Sequence, residues 1–368
     1  MLLYLVSHAF SRSALMEFIP LIQETIGVFR DRLDGFCSSQ GAFFDALPWF
    51  NYLAFDILSD LAFGERIGML EKGSDVVTIQ RPDNTLVEEN AISLVDEREH
   101  FAAVLGLVHP VLQNIATRMP FLAGQKATSA LEELARQHVL KRLESGTRRD
   151  DILGKLILAR GFDQREPGEE EVRELTAEAV TLLIAGSDTT SNSLAVILHL
   201  ICTHPGVYEK LLAMLFEVCD GDSYERAKDV PYLQATINEA LRIHSITAIG
   251  LHRSAPPGGL VVEGRYFEEG TKLSVPAWTT NHDSILWGDP ENFRPERWLE
   301  DGNLKQYLLA FGKGPRACIG QNLALIEITS IVSMMLLRYK IEVRDSRLET
   351  TEGFMHKPVE FSIRLEFR

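Results

Sequence analysis

The sequence is poor in cysteine and in positive charge, and both shortages narrow what the protein can be. Its 368 residues include four scattered cysteines, and none of them stands in a C-x-x-C pair. This pattern favours neither a disulfide framework nor a thiolate zinc site, so a reducing compartment is the simpler interpretation. The formal net charge of −15 argues against a nucleic-acid partner, because phosphate binding needs clustered cations.

The sequence also lacks a clear targeting or membrane-spanning segment. Its apolar beginning, MLLYLVSHAF, has neither a positive region nor a small-residue cleavage site, so it does not resemble a signal peptide. The longest apolar segment, residues 179–202, carries Asp188 and several hydroxyl side chains at its centre. We therefore expect it to form a buried helix of the core. No internal repeat or low-complexity tract occurs.

Apolar spacing predicts a mainly α-helical fold with a minor antiparallel β part. The clearest apolar stripe recurs at three and four residues: Leu15, Phe18, Ile22, Ile26, Phe29 and Leu33. Similar stripes occur around residues 51–63 and 129–143, and another helix is expected over residues 322–337. Pro231 is expected in the first turn of a further helix.

The connections between these helices are predicted from turn-forming and charged residues. Residues 65–99 are mixed and polar, so we expect a long irregular connection there. Residues 161–174 form a charged loop, and Thr176 is the expected N-cap of a helix that runs to about Thr203. Short β-type runs between glycines predict a small antiparallel sheet over residues 259–278.

A lone cysteine stands in the glycine-rich loop FGKGPRACIG, residues 311–320. Because a helix follows, the Cys318 sulfur is expected near a helix N-terminus, where backbone N–H groups favour a thiolate, and Arg316 adds positive charge. Glycines at positions 312, 314 and 320 let a bulky planar partner approach the backbone. A thiolate in such a loop suits a metal cofactor, and the alternative is a structural cysteine in a tight turn.

The loop resembles the haem-binding loop of the cytochrome P-450 family. Its fixed positions match F-x-x-G-x-R-x-C-x-G: Phe311, Gly314, Arg316, Cys318 and Gly320. The resemblance implies one haem-binding domain over residues 1–368, with haem b held by these positions and Cys318 as the axial iron ligand. Arg253, in HRSAPPGG, stands where the family has a cation for a haem propionate, and Arg316 has the same expected role.

The segment AGSDTT, residues 185–190, resembles the family's oxygen-binding segment A-G-x-D-T-T. The resemblance implies that Ala185 and Gly186 lie against the haem. It also implies that Asp188 and Thr189 deliver protons through water when the O–O bond is cleaved. The alternative is that these are core polar groups satisfied by hydrogen bonds within the helix.

A third likeness concerns fold integrity rather than chemistry. Glu239 and Arg242 stand three apart in EALR, and alone such a pair is an exposed ion pair worth less than about 1 kcal/mol. The family has E-x-x-R here, joined to an arginine of a later P-E-R-F segment, and FRPERW offers Arg297. The resemblance therefore implies a structural brace under the haem. Trp298 replaces the usual phenylalanine and keeps an aromatic ring.

The resemblance implies a monooxygenase that inserts one oxygen atom from O2 into a small molecule, with electrons from an NADPH-dependent flavoprotein reductase. Lys313 is a candidate reductase contact. Family position predicts the residues of the substrate pocket: Ala185, Thr247, Ala248, Ile249, Phe354 and Met355. They are mostly small or apolar, so a hydrophobic substrate is expected. The segments HAFS and FRPERWLED look like filamentous-fungal members that act on secondary metabolites such as terpenoids or polyketides.

The resemblance starts late in the family's fold. Residues 8–23 resemble the end of the third major helix, so the membrane anchor, the first strands, the B–C region and a W-x-x-x-R motif have no expected counterpart. The family's usual place is the cytoplasmic side of the endoplasmic reticulum, but without an anchor the localisation stays open. Two alternatives also stay open: a truncated, inactive paralogue with weak or no haem binding, and a haem-thiolate isomerase or dehydratase that needs no oxygen.

Overall fold

The computed structural model describes residues 9–38, 41–108, 110–119, 122–219 and 224–368. The α-helices in these ranges are α1 Arg12–Ser38, α2 Leu47–Phe63, α3 Met69–Lys72, α4 Ala91–Leu107, α5 Pro110–Ala116, α6 Ala123–Ser145, α7 Ile152–Ala159, α8 Glu169–Thr203, α9 Pro205–Val218, α10 Tyr224–Ala227, α11 Pro231–Ile243, α12 Ala277–Asn281, α13 Ser284–Trp287, α14 Arg297–Glu300 and α15 Gln321–Arg338. The prediction of a mainly helical fold is confirmed.

The β part is small and antiparallel, as predicted. Its strands are β1 Phe44–Asp45, β2 Val76–Gln80, β3 Leu86–Asn90, β4 Arg253–Ser254, β5 Leu260–Val262, β6 Arg265–Phe267, β7 Lys272–Leu273, β8 Tyr339–Val343, β9 Thr350–Glu352, β10 His356–Pro358 and β11 Ser362–Phe367. Strand β11 lies between β1 and β8. The other pairs are β2–β3, β4–β7, β5–β6 and β9–β10.

Helix α8 crosses the core and is the central element of the helical part. It packs against α2, α6, α11 and α15, and α15 is the helix that begins just after the Cys318 loop. All members of the apolar stripe predicted for α1 are buried, so that stripe faces the same core. No helix among the described residues combines the length and apolar character needed to cross a membrane.

The predicted start of α8 at Thr176 is wrong, because the helix begins at Glu169. Gly168 is the N-cap, and the Glu171 carboxylate accepts the backbone N–H of Gly168 at 2.9 Å. The acidic residues of this first turn also favour the positive end of the helix dipole. Thr176 lies inside the helix, where its hydroxyl donates to the carbonyl of Val172 at 2.8 Å.

The irregular connection predicted for residues 65–99 is also wrong. This stretch contains α3, the β2–β3 hairpin and the first half of α4. The β-branched run of β2 supplies the reason, since Val77 and Ile79 are buried while the residues between and after them are exposed. Asn84, with φ of 65°, forms the turn of the hairpin.

Candidate active site

Cys318 lies in a tight loop that ends where α15 begins. Its backbone N–H donates to the carbonyl of Phe311 at 2.8 Å, which closes the loop. Gly312 and Gly314 have φ values of 65° and 72°, a region that other residues rarely adopt. The turn itself therefore requires these two glycines. Room for a porphyrin beside Gly312 and Gly314 stays a prediction.

The electrostatic setting of the Cys318 thiol differs from the one expected. The backbone N–H groups of Gly320 and Gln321 point at the sulfur and lower its pKa, as the helix N-terminus predicted. Desolvation is the larger effect, so the pKa of the thiol is raised overall, and Arg316 is not among the groups that shift it. The prediction that the loop by itself favours the thiolate is therefore wrong, although a bound metal cation would deprotonate the thiol.

A side chain at Gly320 would meet no close contact within the chain. Gly320 has φ of −82°, which any residue adopts. A Cβ at Gly320 would lie 3.9 Å from Sγ of Cys318 and 4.0 Å from the ring of Phe10, ordinary contact distances. The chain alone therefore does not require glycine here. Phe10 is a neighbour that sequence reasoning missed as a site residue, although it belongs to the HAFS segment that carried part of the resemblance.

Two arginines predicted to hold haem propionates are both exposed. Arg253 lies on β4, and one of its Nη atoms donates to the carbonyl of His252 at 2.8 Å. Arg316 lies in the short 3-10 turn of the Cys318 loop. Within the described part of the chain neither guanidinium contacts a carboxylate. The donor set therefore fits a ligand that carries carboxylates of its own.

Helix α8 has an exposed strip that runs from its first half to its middle, where Ala177, Thr181 and Ala185 are exposed at four-residue spacing. Ala185 is exposed, Thr189 is half-buried one turn later, and the Thr189 hydroxyl donates to the Ala185 carbonyl at 2.7 Å. The helix stays continuous through this bond. Gly186 was predicted to lie against the haem. A Cβ at Gly186 would point at Leu58 of α2, at 3.0 Å. Its glycine serves close helix packing, and a cofactor contact stays a prediction.

Asp188 and Thr189 are not brought together by the structure. Consecutive residues of a helix point about 100° apart, and Asp188 is directed into the protein, with 5% of its surface exposed. One carboxylate oxygen accepts the side-chain N–H of Asn192 at 2.7 Å, and the other accepts the Lys357 ammonium at 3.2 Å. Burial raises the pKa of Asp188, and Lys357 opposes this. Sequence reasoning missed both partners.

The predicted contact between Glu239, Arg242 and Arg297 is present in the structure. Arg242 donates to both oxygens of the fully buried Glu239 carboxylate, each at 2.9 Å, and Arg297 donates at 2.9 Å. The Trp298 indole N–H donates at 2.8 Å and the backbone N–H of Arg294 at 3.0 Å. Trp298 is thus a hydrogen-bond donor to the Glu239 carboxylate. The sequence analysis treated Trp298 only as an aromatic ring in place of phenylalanine.

Buried Asn281 connects this network to the Cys318 loop. Its backbone carbonyl accepts Arg242 at 2.7 Å, and its side-chain N–H donates to the Ser245 hydroxyl at 2.7 Å. Its side-chain oxygen accepts the backbone N–H of Leu309 at 3.3 Å, two residues before the loop. Asn281 therefore joins the network to the segment that precedes Cys318 and to Ser245, two residues before the predicted pocket residue Thr247.

The predicted substrate-pocket residues differ in exposure. Ala185 and Ile249 are exposed, and Thr247 and Phe354 are half-buried. Ala248 and Met355 are buried. Residues 245–250 are held by two backbone bonds, from Trp278 to Ala248 at 3.0 Å and from His356 to Ile246 at 2.8 Å. The loop is therefore fixed in place, and its exposed apolar surface is small.

Comparisons with known proteins agree with the resemblance seen in the motifs. The cytochrome P450 family matches residues 4–365. Benzoate 4-monooxygenase bphA of Aspergillus niger is 36% identical over 389 residues, covering 99% of this chain and 74% of that protein. Pisatin demethylase of Fusarium vanettenii is 31% identical, covering 92% and 65%. Cytochrome P450 monooxygenase pkfB of Emericella nidulans is 30% identical, covering 95% and 69%.

Two of these fungal relatives are named monooxygenases, and the family match extends from the first described helix through the Cys318 loop to the last strand. The motifs, the mainly helical fold and the aligned length point the same way. The chain belongs to the cytochrome P450 family.

Proposed function

We propose that this chain is a haem-thiolate monooxygenase that inserts one oxygen atom from O2 into a hydrophobic small molecule. The observation that carries the proposal is Cys318, held in a closed loop with two backbone N–H groups on its sulfur. The loop leads into α15, and α15 packs against α8, which carries the open strip at Ala185 and Thr189.

Each residue has a definite task in this proposal. A bound haem would supply an iron that activates dioxygen, and the Cys318 thiolate would hold that iron. Arg253 and Arg316 would hold the propionates, because both are exposed and neither contacts a carboxylate of the described chain. The Thr189 hydroxyl donates its proton to the Ala185 carbonyl, so the lone pairs of the hydroxyl oxygen can accept a hydrogen bond from water.

Electrons are proposed to come from NADPH through a flavoprotein reductase. Lys313 is an exposed cation in the Cys318 loop, and its ammonium donates to the carbonyl of Lys305 at 2.9 Å. This contact leaves other ammonium protons available to an acidic partner. The reductase is therefore proposed to approach the side of the molecule that carries this loop.

The substrate is proposed to be a hydrophobic small molecule of the secondary-metabolite type, such as a terpenoid or polyketide. Exposed Ala185 and Ile249 support this, because both offer apolar surface to solvent. The name of the Aspergillus niger relative makes benzoate a further compound to test. Ala185→Phe and Ile249→Phe should weaken substrate-induced shifts of the haem spectrum, whereas Val262→Phe, on exposed β5, should not. Unchanged shifts in both pocket variants would show that the substrate binds elsewhere.

The experiment on the proposed function is a carbon monoxide spectrum. The chain is expressed, supplied with haem, reduced and exposed to carbon monoxide, and a red-shifted Soret band typical of thiolate ligation is expected. Cys318→Ser should lose the band, and Cys37→Ser, at a half-buried cysteine of α1, should keep it. Absence of the band from the wild type would favour the inactive paralogue. A band without oxygen-dependent product formation would favour the isomerase or dehydratase.

A further inference from the structure

Two separate stretches of chain supply five of the six predicted pocket residues. Residues 247–249 follow α11, and residues 354–355 precede β10. A histidine stands beside each stretch: His244 is the C-cap of α11, and His356 is the first residue of β10. These two histidines are 112 residues apart in the sequence and in contact in the structure.

The two histidines are joined by a ring stack and by backbone hydrogen bonds. Their ring centroids lie 3.9 Å apart, with 23° between the ring planes. The backbone N–H of His356 donates to the carbonyl of Ile246 at 2.8 Å, and Nε2 of His244 donates to the carbonyl of His356 at 3.1 Å. The ring and both backbone groups of His356 therefore hold the segment that leads into residues 247–249.

The same two stretches of chain pack on α8, close to its exposed strip. Val196 stands seven residues, about two turns, after Thr189, so both side chains leave nearly the same face of the helix. Val196 is buried together with Ile246 and Met355 in a small apolar cluster. The loop and the hairpin therefore lie side by side on α8, and the histidine stack joins one to the other.

Trp278 holds the same loop at a second point. Its backbone N–H donates to the carbonyl of Ala248 at 3.0 Å. Its ring meets the His356 ring edge to face, with centroids 5.6 Å apart. The loop is thus attached at Ile246 to His356 and at Ala248 to Trp278, and these two attachments contact each other.

Both histidine rings are neutral near pH 7, so the stack contains no like charges. Burial, with smaller contributions from His356, His199 and His282, lowers the pKa of His244 to about 4. Burial also lowers the pKa of His356, against the Glu352 carboxylate that lies 3.3 Å from its Nε2. Nδ1 of His356 has no hydrogen-bond partner in the described part of the chain, so a second proton there would lack an acceptor.

A metal ion is a poor match to this pair. The lone pairs of an imidazole lie in the plane of its ring, so two stacked rings direct them side by side and not to one point. Within the described ranges neither histidine belongs to a group of three possible metal ligands. The pair therefore acts through packing.

We infer that His244 and His356 are positioning residues for substrate binding: their stack sets the spacing between residues 247–249 and residues 354–355, and with it the width of the pocket. The inference rests on the proposed function, which assigns those residues to the pocket. The two histidines act through the pocket residues beside them. A ligand that reaches the pocket walls should respond to loss of the stack, and a ligand too small to reach them should not.

The first experiment compares a large and a small ligand of the haem-loaded chain. Imidazole and 4-phenylimidazole both shift the haem spectrum when they bind, and the phenyl ring of the second can reach the pocket walls. His356→Ala should weaken binding of 4-phenylimidazole about fivefold, the size expected when an aromatic pair is lost, and leave imidazole binding unchanged. His244→Ala removes the same stack from the other strand of the contact and should give the same result.

Two substitutions at His356 separate the stack from its hydrogen bonds. His356→Phe keeps a flat ring and should restore the affinity for 4-phenylimidazole. His356→Gln keeps a polar nitrogen without a ring and should resemble His356→Ala. His138→Ala is the matched control, because His138 stacks on Phe63 at 4.9 Å and belongs to neither pocket stretch. This control should bind both ligands like the wild type.

The second experiment needs neither haem nor activity. Hydrogen–deuterium exchange with mass spectrometry follows the bond from the Trp278 backbone N–H to Ala248. The peptide that covers residues 274–282 should exchange faster in His356→Ala than in the wild type at the same pH, because the loop has lost an attachment. His356→Phe and His138→Ala should match the wild type. This readout remains available if the carbon monoxide test fails, so failure of the proposed function is distinguishable from failure of this inference.

Three results would overturn the inference. The first is equal affinity of the wild type and His356→Ala for 4-phenylimidazole. The second is a loss that His356→Phe shares with His356→Gln, since hydrogen bonds and not the stack would then position the loop. The third is an exchange rate of residues 274–282 that is the same with and without the His356 ring.

Discussion

The Trp298 indole offers a sharp test of the buried network around Glu239. Trp298→Phe keeps an aromatic ring in the cluster formed with Trp287 and Leu308, and it removes one N–H donor from a fully buried carboxylate. Trp287→Phe is a matched control, because Trp287 lies in the same cluster and its indole N–H donates to a neutral acceptor, the carbonyl of Thr280, at 2.9 Å.

The two variants lose similar packing but different hydrogen bonds. The indoles are 5% and 3% exposed, and their ring centroids lie 5.4 Å apart. A hydrogen bond to a charged group contributes about 1.5–3 kcal/mol, against about 0.5–1.5 kcal/mol for a neutral one. Trp298→Phe should therefore lower the free energy of unfolding by about 1–1.5 kcal/mol more than Trp287→Phe. That difference is roughly tenfold in the ratio of folded to unfolded protein.

Urea unfolding of the wild type and both variants, at one pH and one protein concentration, measures the difference. The slopes of the unfolding lines should agree, so that the shift of the midpoint reports stability. If Trp298→Phe costs no more than Trp287→Phe, the indole bond to Glu239 adds nothing beyond packing. Glu239 would then be held by its arginines alone.

Two further predictions concern buried acids and a close backbone approach. Burial raises the pKa of Glu99 and of Glu327 to about 8. The folded state therefore keeps protons that the unfolded state releases. The free energy of unfolding should fall as pH rises from about 4.5 to about 8, by up to roughly 1.4 kcal/mol per pH unit for each group. Glu99→Gln and Glu327→Gln should flatten this fall in urea unfolding at several pH values, and slopes equal to the wild type would contradict it. Gly250→Ala should lower Tm, because its Cβ would lie 2.1 Å from Oγ of Ser274 and 2.8 Å from a backbone carbon. Gly27→Ala, inside α1 with nothing within 4 Å, should raise Tm slightly, and a Gly250→Ala variant as stable as the wild type would refute the close approach.

Helices with a continuous apolar stripe were predictable from the sequence because one face of each is buried along its length. The stripe of α1 shows this well, since every member is buried. The start of α8 was not predictable in the same way, because Gly168 has no capping side chain and the carboxylate of Glu171 caps the helix instead. The β2–β3 hairpin was missed because its exposed polar residues masked the alternation of Val77 and Ile79.

Contacts within the site were predictable where they depend on short motifs. The Cys318 loop and the Glu239 network both have local signatures, and the structure shows their hydrogen bonds. Contacts between distant residues have no such signature. Lys357 stands 169 residues after Asp188, and Asn281 contacts Leu309 through a side-chain oxygen that no motif identifies. The pKa of Cys318 was misjudged because desolvation depends on the folded surroundings.

Helix α8 directs the neighbouring residues Asp188 and Thr189 to different surroundings. Ala185 and Thr189 belong to its open strip, where the hydroxyl is held by a bond within the helix. Asp188 lies about a third of a turn away, where Lys357 fixes it beside a polar cavity. The strip that the proposed function assigns to substrate and oxygen therefore receives no charged side chain from position 188.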